Sequence, residues 1–245
     1  MPYTSRHSMK AIILAAGRGS RMKSLTDDRP KCLIEFRGKP LLQLQLDALR
    51  GAGFTAIAIV CGYRGELLTP YGLKMFDNPR WAQTNMVSSL ECAAEWLAQE
   101  ECVVSYSDIF YSSIAVDNLR ASSAELAVAY APDWLDLWKK RFADPLDDAE
   151  TFRLDFATGR ILEIGKKPRT VDEIQGQYMG LLKFTPASWM ACSALRAGLE
   201  STARDRMDMT SMLQSLIESG FPVTGVPVNS DWGELDSDDD LVNLS

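Results

Sequence analysis

The chain has 245 residues, 46% of them hydrophobic and 24% charged, which supports one domain with a sizeable core and excludes a disordered chain or a small disulfide-stapled scaffold. With 26 Lys and Arg against 33 Asp and Glu the formal charge is −7. That balance argues against a general nucleic-acid or anionic-membrane binder, yet allows a local basic pocket. The one histidine, His7, sits in a polar leader, so histidine-based catalysis and histidine metal ligands are not expected. Five cysteines form no CxxC pair and read as reduced core thiols of a cytoplasmic protein. No apolar run reaches the roughly 18 residues of a membrane span, and the start MPYTSRHS lacks the apolar stretch of a signal peptide. Residues 1–8 are read as a leader or extension, and 9–245 as a single domain.

Lys10–Ala16 (KAIILAA) reads as a buried parallel strand ending in a glycine-rich turn. Pro40–Gly51 carries apolar residues at helical spacing, with proline at its start and glycine at its end. Thr55–Cys61 is a second buried strand, so the order gives a βαβ unit and a parallel sheet. Asn85–Gln99 reads as one amphipathic helix, Cys102–Tyr106 as a third strand, Val116–Ser122 as a helix and Glu125–Tyr130 as a fourth strand. Trp134–Phe142 is a short helix. Thr158-Gly159 joins Thr151–Asp155 to Arg160–Ile164 as a hairpin. Gln177–Phe184 is a strand, Pro186–Glu200 and Met209–Ser219 are helices, Pro222–Pro227 is a late strand, and Leu235–Leu244 closes as a helix. The expected fold is a three-layer α/β/α Rossmann-like domain with a mixed, mostly parallel sheet and a small β-rich insertion around 130–185.

The strongest local signal is Leu14-Ala15-Ala16-Gly17-Arg18-Gly19-Ser20-Arg21, which follows the first strand. Its glycines let the backbone approach a ligand, successive N–H groups can cradle phosphate, and Arg21 and Lys31 add positive charge. By itself the loop could be a solvated turn. It lacks the third glycine of a dinucleotide fingerprint and the GK[ST] ending of a P-loop, and Cys61-Gly62-Tyr63 stands where an oxidoreductase would place a ribose-binding acid. Asp108 falls at a strand end, where open α/β sheets bind ligands, or is a simple cap there. Asp236 lies in an acidic run near the carboxyl terminus. Asn85 can offer a donor and an acceptor to a base edge, or cap a helix.

LAAGRGSRM followed by PKCLIEFRGKPLLQLQLDAL resembles the nucleotidyltransferases that make activated sugars and alcohols. The likeness extends over most of 9–244. The resemblance implies that Leu14, Ala15, Ala16, Gly17, Gly19 and Ser20 wrap a nucleotide, that Arg21 touches the outgoing phosphates and that Lys31 steadies the reacting ones. It implies that Asp108 and Asp236, the latter within Trp232-Gly233-Glu234-Leu235-Asp236, hold Mg²⁺. Asn85-Met86-Val87-Ser88-Ser89-Leu90 resembles the base-pocket stretch of the small CTP:phosphocholine members, making Asn85 and Ser88, with Gln83, candidates for base contact. Lys167, with Lys166 as its rival, matches a lysine that meets the acceptor phosphate.

The short chain resembles the cytidylyltransferases, so CTP and a small phosphorylated or phosphonate acceptor are the expected partners: phosphocholine, 2-aminoethylphosphonate, phosphoglutamine or similar. Release of pyrophosphate follows, and a homodimer is compatible with the resemblance. For a quaternary ammonium an aromatic cage would be built from Trp134 and Trp138, four residues apart, with Tyr178 and Trp232 near the site. Asp133 and Asp136 beside the two tryptophans would equally suit a primary amine. Glu234 is the further acceptor candidate. The competing readings are a sugar-1-phosphate nucleotidyltransferase using UTP, dTTP or GTP, and a nucleotide-binding regulatory protein without catalysis.

Overall fold

The computed structural model describes residues 9–244. Residues 1–8, including His7, lie outside the described residues. The order is β1 (Lys10–Ala15), β2 (Glu35–Phe36), β3 (Lys39–Pro40), α1 (Leu41–Gly51), β4 (Ile57–Cys61), β5 (Lys74–Asp77), α2 (Met86–Glu91), α3 (Ala94–Leu97), β6 (Cys102–Tyr106), β7 (Ile109–Tyr111), α4 (Ser113–Ala121) and β8 (Leu126–Ala131). Next come α5 (Trp134–Arg141), β9 (Phe152–Asp155), β10 (Arg160–Ile164), β11 (Gln177–Phe184), α6 (Pro186–Ala197), α7 (Ser201–Arg206), α8 (Met209–Glu218), β12 (Thr224–Pro227), β13 (Trp232–Glu234) and α9 (Asp238–Asn243).

Nine strands form one sheet in the order β5-β4-β1-β6-β11-β8-β12-β10-β9. From the pairings, only β11 and β10 run against the other seven. The sheet is therefore mixed and mostly parallel, as the sequence implies. The β-rich stretch of 130–185 is continuous with it: β11 lies between β6 and β8, and the β9–β10 hairpin extends the edge beyond β12.

β1 is central because it is apolar on both faces. Ala11, Ile13 and Ala15 pack into one core layer, and Ile12, Leu14 and Ala16 into the other, the period-two alternation of a strand covered on both sides. α1 buries Leu42, Leu46 and Leu49 in the first layer. The single helix expected over 85–99 is instead two, α2 and α3. Bonds of the i→i−3 type from Cys92, Ala93 and Trp96 tighten the chain at the junction, and Val87, Leu90, Ala93 and Leu97 all stay buried.

A small antiparallel ribbon positions the site. β7 pairs with β13, with Ile109 opposite Glu234, and Leu235 N donates to Asp108 O at 2.9 Å. This pairing brings Asp108 beside Asp236 although they lie in distant parts of the sequence.

Candidate active site

The carboxyl ends of β1 and β6 open onto two adjoining clefts. The first, of about 190 Å³, is lined by Leu14, Ala16, Gly17 and Gly19 of the glycine loop, by Trp81, Thr84, Asn85 and Ser89, and by Lys31 and Asp108. The second, of about 290 Å³, is lined by Gln177 and Tyr178 of β11, Asp148, Glu150, Asp208, Glu234 and Asp236. Arg21, Met86 and Tyr106 border both.

Between them lies a charged junction. Lys31 Nζ donates to Asp108 Oδ2 at 3.0 Å and to Asp236 Oδ1 at 2.7 Å. Arg21 reaches Asp236 Oδ1 at 3.2 Å. Lys31 follows Pro30 in a single 3₁₀ turn, and its stem packs under Gly19, where a Cβ would come within 2.8 Å of it. Gly19 has φ +73°, so it supplies both the left-handed turn and the close approach. Burial opposes the charge of Lys31, but Asp108 and Asp236 prevail and hold its ammonium above the ordinary lysine value. Burial likewise opposes ionisation of Asp236, and Lys31 with Arg21 holds its carboxyl below the usual range. Glu234 is pushed well up by burial and by the neighbouring Asp236 and Asp108.

Asp108, Glu234 and Asp236 present oxygens within 4.8 Å of one another. Buried Asp108 Oδ1 has no hydrogen-bond partner among the described residues. Hard oxygen donors with a free buried lone pair fit a divalent cation such as Mg²⁺.

Two residues that the sequence reading missed hold this junction in place. Arg141, with its side chain fully buried, faces Glu234 at 3.5 Å, Asp236 at 3.7 Å and Asp240 at 2.8 Å. Asp240 in turn accepts from the backbone N–H groups of Asp236 and Ser237. Gln45, fully buried on α1, donates through Nε2 to Tyr106 O at 2.7 Å and Ile109 O at 2.6 Å. It therefore pins both sides of the Ser107-Asp108 turn. A glutamine among leucines in α1 and a basic helix end in α5 were the available signals.

Several expected contacts are placed elsewhere. Ala15 points to the opposite layer from Leu14 and Ala16, as strand alternation requires. Ser20 is exposed one residue beyond the turn, and Gln83 is exposed and lines neither cleft. Asn85 lines the first cleft and also caps α2, accepting from Met86 N at 2.8 Å. Ser88 faces away from that cleft and accepts from Arg196 at 3.1 Å. Ser89, one helical step round, faces the cleft instead.

The tryptophan cage is not formed. Trp134, Trp138 and Trp232 are buried in the core. Trp138 stacks on Trp232 with centroids 5.9 Å apart, Trp134 Nε1 donates to Ile174 O, and Trp232 Nε1 donates to Met179 O. Asp133 is exposed at the start of α5, outside both clefts. Apolar spacing on a short helix favoured burial over display. Tyr178 and Glu234 do line the second cleft. Lys167 lines neither, because its Nζ donates to the carbonyls of Leu146 and Asp147, and Lys166 pairs with Glu163 at 3.0 Å.

Two adjoining clefts at the carboxyl ends of an α/β sheet, with a lysine–carboxylate junction between them, place the chain among α/β proteins with a charged ligand site at the strand ends. Residues 11–205 match the MobA-like NTP transferase domain, and the chain belongs to that family of nucleotidyltransferases. It is 39% identical over 252 residues to the CTP:phosphoglutamine cytidylyltransferase of Campylobacter jejuni, covering 95% of this chain and 98% of that one. It is 31% identical over 158 residues to the choline-phosphate cytidylyltransferase of Streptococcus pneumoniae, covering 63% and 67%. The fold superposes on the inositol-1-phosphate CTP transferase of T. maritima with a TM-score of 0.76 at 20% identity, over 97% and 92% of the two chains. Among the described residues no helix is long and apolar enough to cross a membrane.

Proposed function

We propose that the protein transfers CMP from CTP to a small phosphorylated acceptor of the phosphoglutamine type, releasing pyrophosphate. One observation carries this reading: Lys31 and Arg21 meet Asp108 and Asp236 where the two clefts join. The Campylobacter relative, similar over nearly its full length, supports CTP and the acceptor class.

In this reading the glycine loop and Asn85 hold the nucleotide in the first cleft, and the acceptor enters the second. An acceptor phosphate oxygen attacks the α-phosphorus in line; the new O–P bond forms as the bond to the β-phosphate oxygen breaks. The acceptor is already an anion at neutral pH, so no strong base is needed. What the site must supply is alignment of two anions and neutralisation of spreading charge. Lys31 suits that task because its ammonium is fixed by two carboxylates and shielded from water, and Arg21, exposed beside Asp236, adds a second positive charge. Asp108 and Asp236, with Glu234 beside them, would hold Mg²⁺, which when bound offsets phosphate charge.

The test is pyrophosphate release with CTP, UTP, dTTP, ATP and GTP, each crossed with phosphoglutamine, phosphocholine, 2-aminoethylphosphonate and glucose 1-phosphate. CTP with a small acceptor is expected to turn over, and Asp108→Asn to abolish it. Turnover confined to UTP or dTTP with glucose 1-phosphate would overturn the reading.

A further inference from the structure

Cys61-Gly62-Tyr63 leaves the end of β4, and the transfer reading gives it no task. Tyr63 lines neither cleft, yet it stands between the two walls of the first. On one side its backbone N–H donates to Ala16 O at 2.9 Å. Its hydroxyl donates to Asp27 O at 2.6 Å, with Thr26 O 3.0 Å away. Thr26 in turn donates through Oγ1 to Gly19 O at 3.2 Å, the glycine whose turn rests on Lys31. On the other side the Tyr63 ring meets Trp81 edge-on, with centroids 5.3 Å apart, and Trp81 lines the cleft. Gly62 keeps the walls close: a Cβ there would come within 2.6 Å of Trp81 Cβ and 2.7 Å of Ala16 O.

The segment under the Tyr63 hydroxyl has little else to hold it. Among the described side chains of 20–29, Met22 and Thr26 alone are buried. The Arg18–Asp27 pair spans 2.6 Å but leaves its side chains 42% and 64% exposed, and a pair of that kind contributes little. A segment with few buried contacts opens at low cost, so one hydroxyl bond to its backbone shifts the balance. The same segment carries Arg21 to the junction. Packing against Trp81 does not require the hydroxyl, since a phenylalanine ring would fill the same place.

We propose that Tyr63 is a positioning residue of the first cleft: its hydroxyl holds residues 18–29 closed and so sets the affinity for the nucleotide polyphosphate. The proposal rests on the reading of the first cleft as the nucleotide cleft.

Tyr63→Phe keeps the ring and removes the hydroxyl alone. Hydrogen exchange of the free protein is expected to quicken about fivefold over 18–29, the scale of one net hydrogen bond, and to stay unchanged in β1 and β4. In Mg²⁺, the Kd of α,β-methylene-CTP, which cannot release pyrophosphate, should rise about twofold to fivefold by calorimetry. The fraction of closed segment in the variant sets where in that range it falls. Saturating analogue should return the variant to wild-type protection, so KM for CTP rises while kcat stays within about twofold. Asp27→Ala removes the exposed ion pair, keeps the Asp27 carbonyl, and should change neither exchange nor Kd. A merely structural role would lower Tm without confining the faster exchange to 18–29 or splitting KM from kcat. Wild-type exchange over 18–29 in Tyr63→Phe, or a wild-type Kd, would overturn the proposal and leave the transfer reading standing if CTP still turns over. Faster exchange and weaker analogue binding in the variant, with no pyrophosphate released from CTP by the wild type with any acceptor, would uphold the proposal and sink the transfer reading.

Discussion

The two clefts share Arg21, Met86 and Tyr106 but are built differently. The first combines the end of β1 and a left-handed glycine turn with Lys31, with Trp81, Thr84, Asn85 and Ser89 about the start of α2, and with Asp108. The second is shaped by side chains from β11, α8 and the segment before β9, and it is acidic. In the proposed reading the first cleft takes the nucleotide and the second the acceptor, so substitutions on the two sides of the Lys31 junction should affect different substrates.

Variants divide the clefts by which substrate they affect. Lys31→Met touches the junction of both and should lower kcat/KM by about a thousandfold, the scale of losing a fixed transition-state donor. Arg141→Met touches neither cleft directly. It strips the guanidinium from buried Asp240 and from Glu234 and Asp236 and should cost about 3–5 kcal/mol of stability, read as a lowered Tm, with activity lost in parallel with fold. Gly19→Ala and Gly180→Ala form a matched pair. Both sites have φ +73°, and a Cβ at each would meet Lys31 or Tyr106 at 2.8 Å. Each should cost about 1–2 kcal/mol, with Gly19→Ala raising KM for CTP and Gly180→Ala raising KM for the acceptor.

A smaller effect concerns pH. Burial, then Asp208, raises the Glu150 carboxyl above its ordinary 4.5. A carboxyl raised in the folded state takes up a proton on folding, so its ionised form destabilises the free protein above the raised value. Glu150→Gln should therefore raise Tm at pH 8 by about 2 °C. That gain should fade as pH falls through the raised value towards 4.5. The smallest effect is expected of Trp134→Phe, which should leave acceptor KM unchanged within error because the ring lies in the core.

Part of the first cleft was legible in the sequence because its residues are neighbours: Leu14, Gly17, Gly19, Arg21 and Lys31 declare themselves in a short run. Asp108 and Asp236 could be paired only through a resemblance, since β7–β13 ribbon pairing is a tertiary fact. Most of the second cleft was not legible. Glu150 and Asp208 look like any surface acids until the segment before β9 and the start of α8 come to line one cleft. Trp134 and Trp138 misled for the complementary reason: helical spacing tells that two rings share a face, but not whether that face looks into a cleft or into the core. Short strands such as β5, β7 and β13 left too little alternation to read, and α2–α3 divides at a tightened turn with no Gly or Pro to mark it.

The central claim is that CMP is joined to an acceptor phosphate at the Lys31–Asp108–Asp236 junction. ³¹P NMR of the protein with CTP, Mg²⁺ and phosphoglutamine tests it most directly. The account predicts coupled doublets of a new cytidine-linked diphosphate alongside inorganic pyrophosphate, both absent with Asp108→Asn. CTP left intact, or pyrophosphate released with free CMP and an unchanged acceptor, would contradict it.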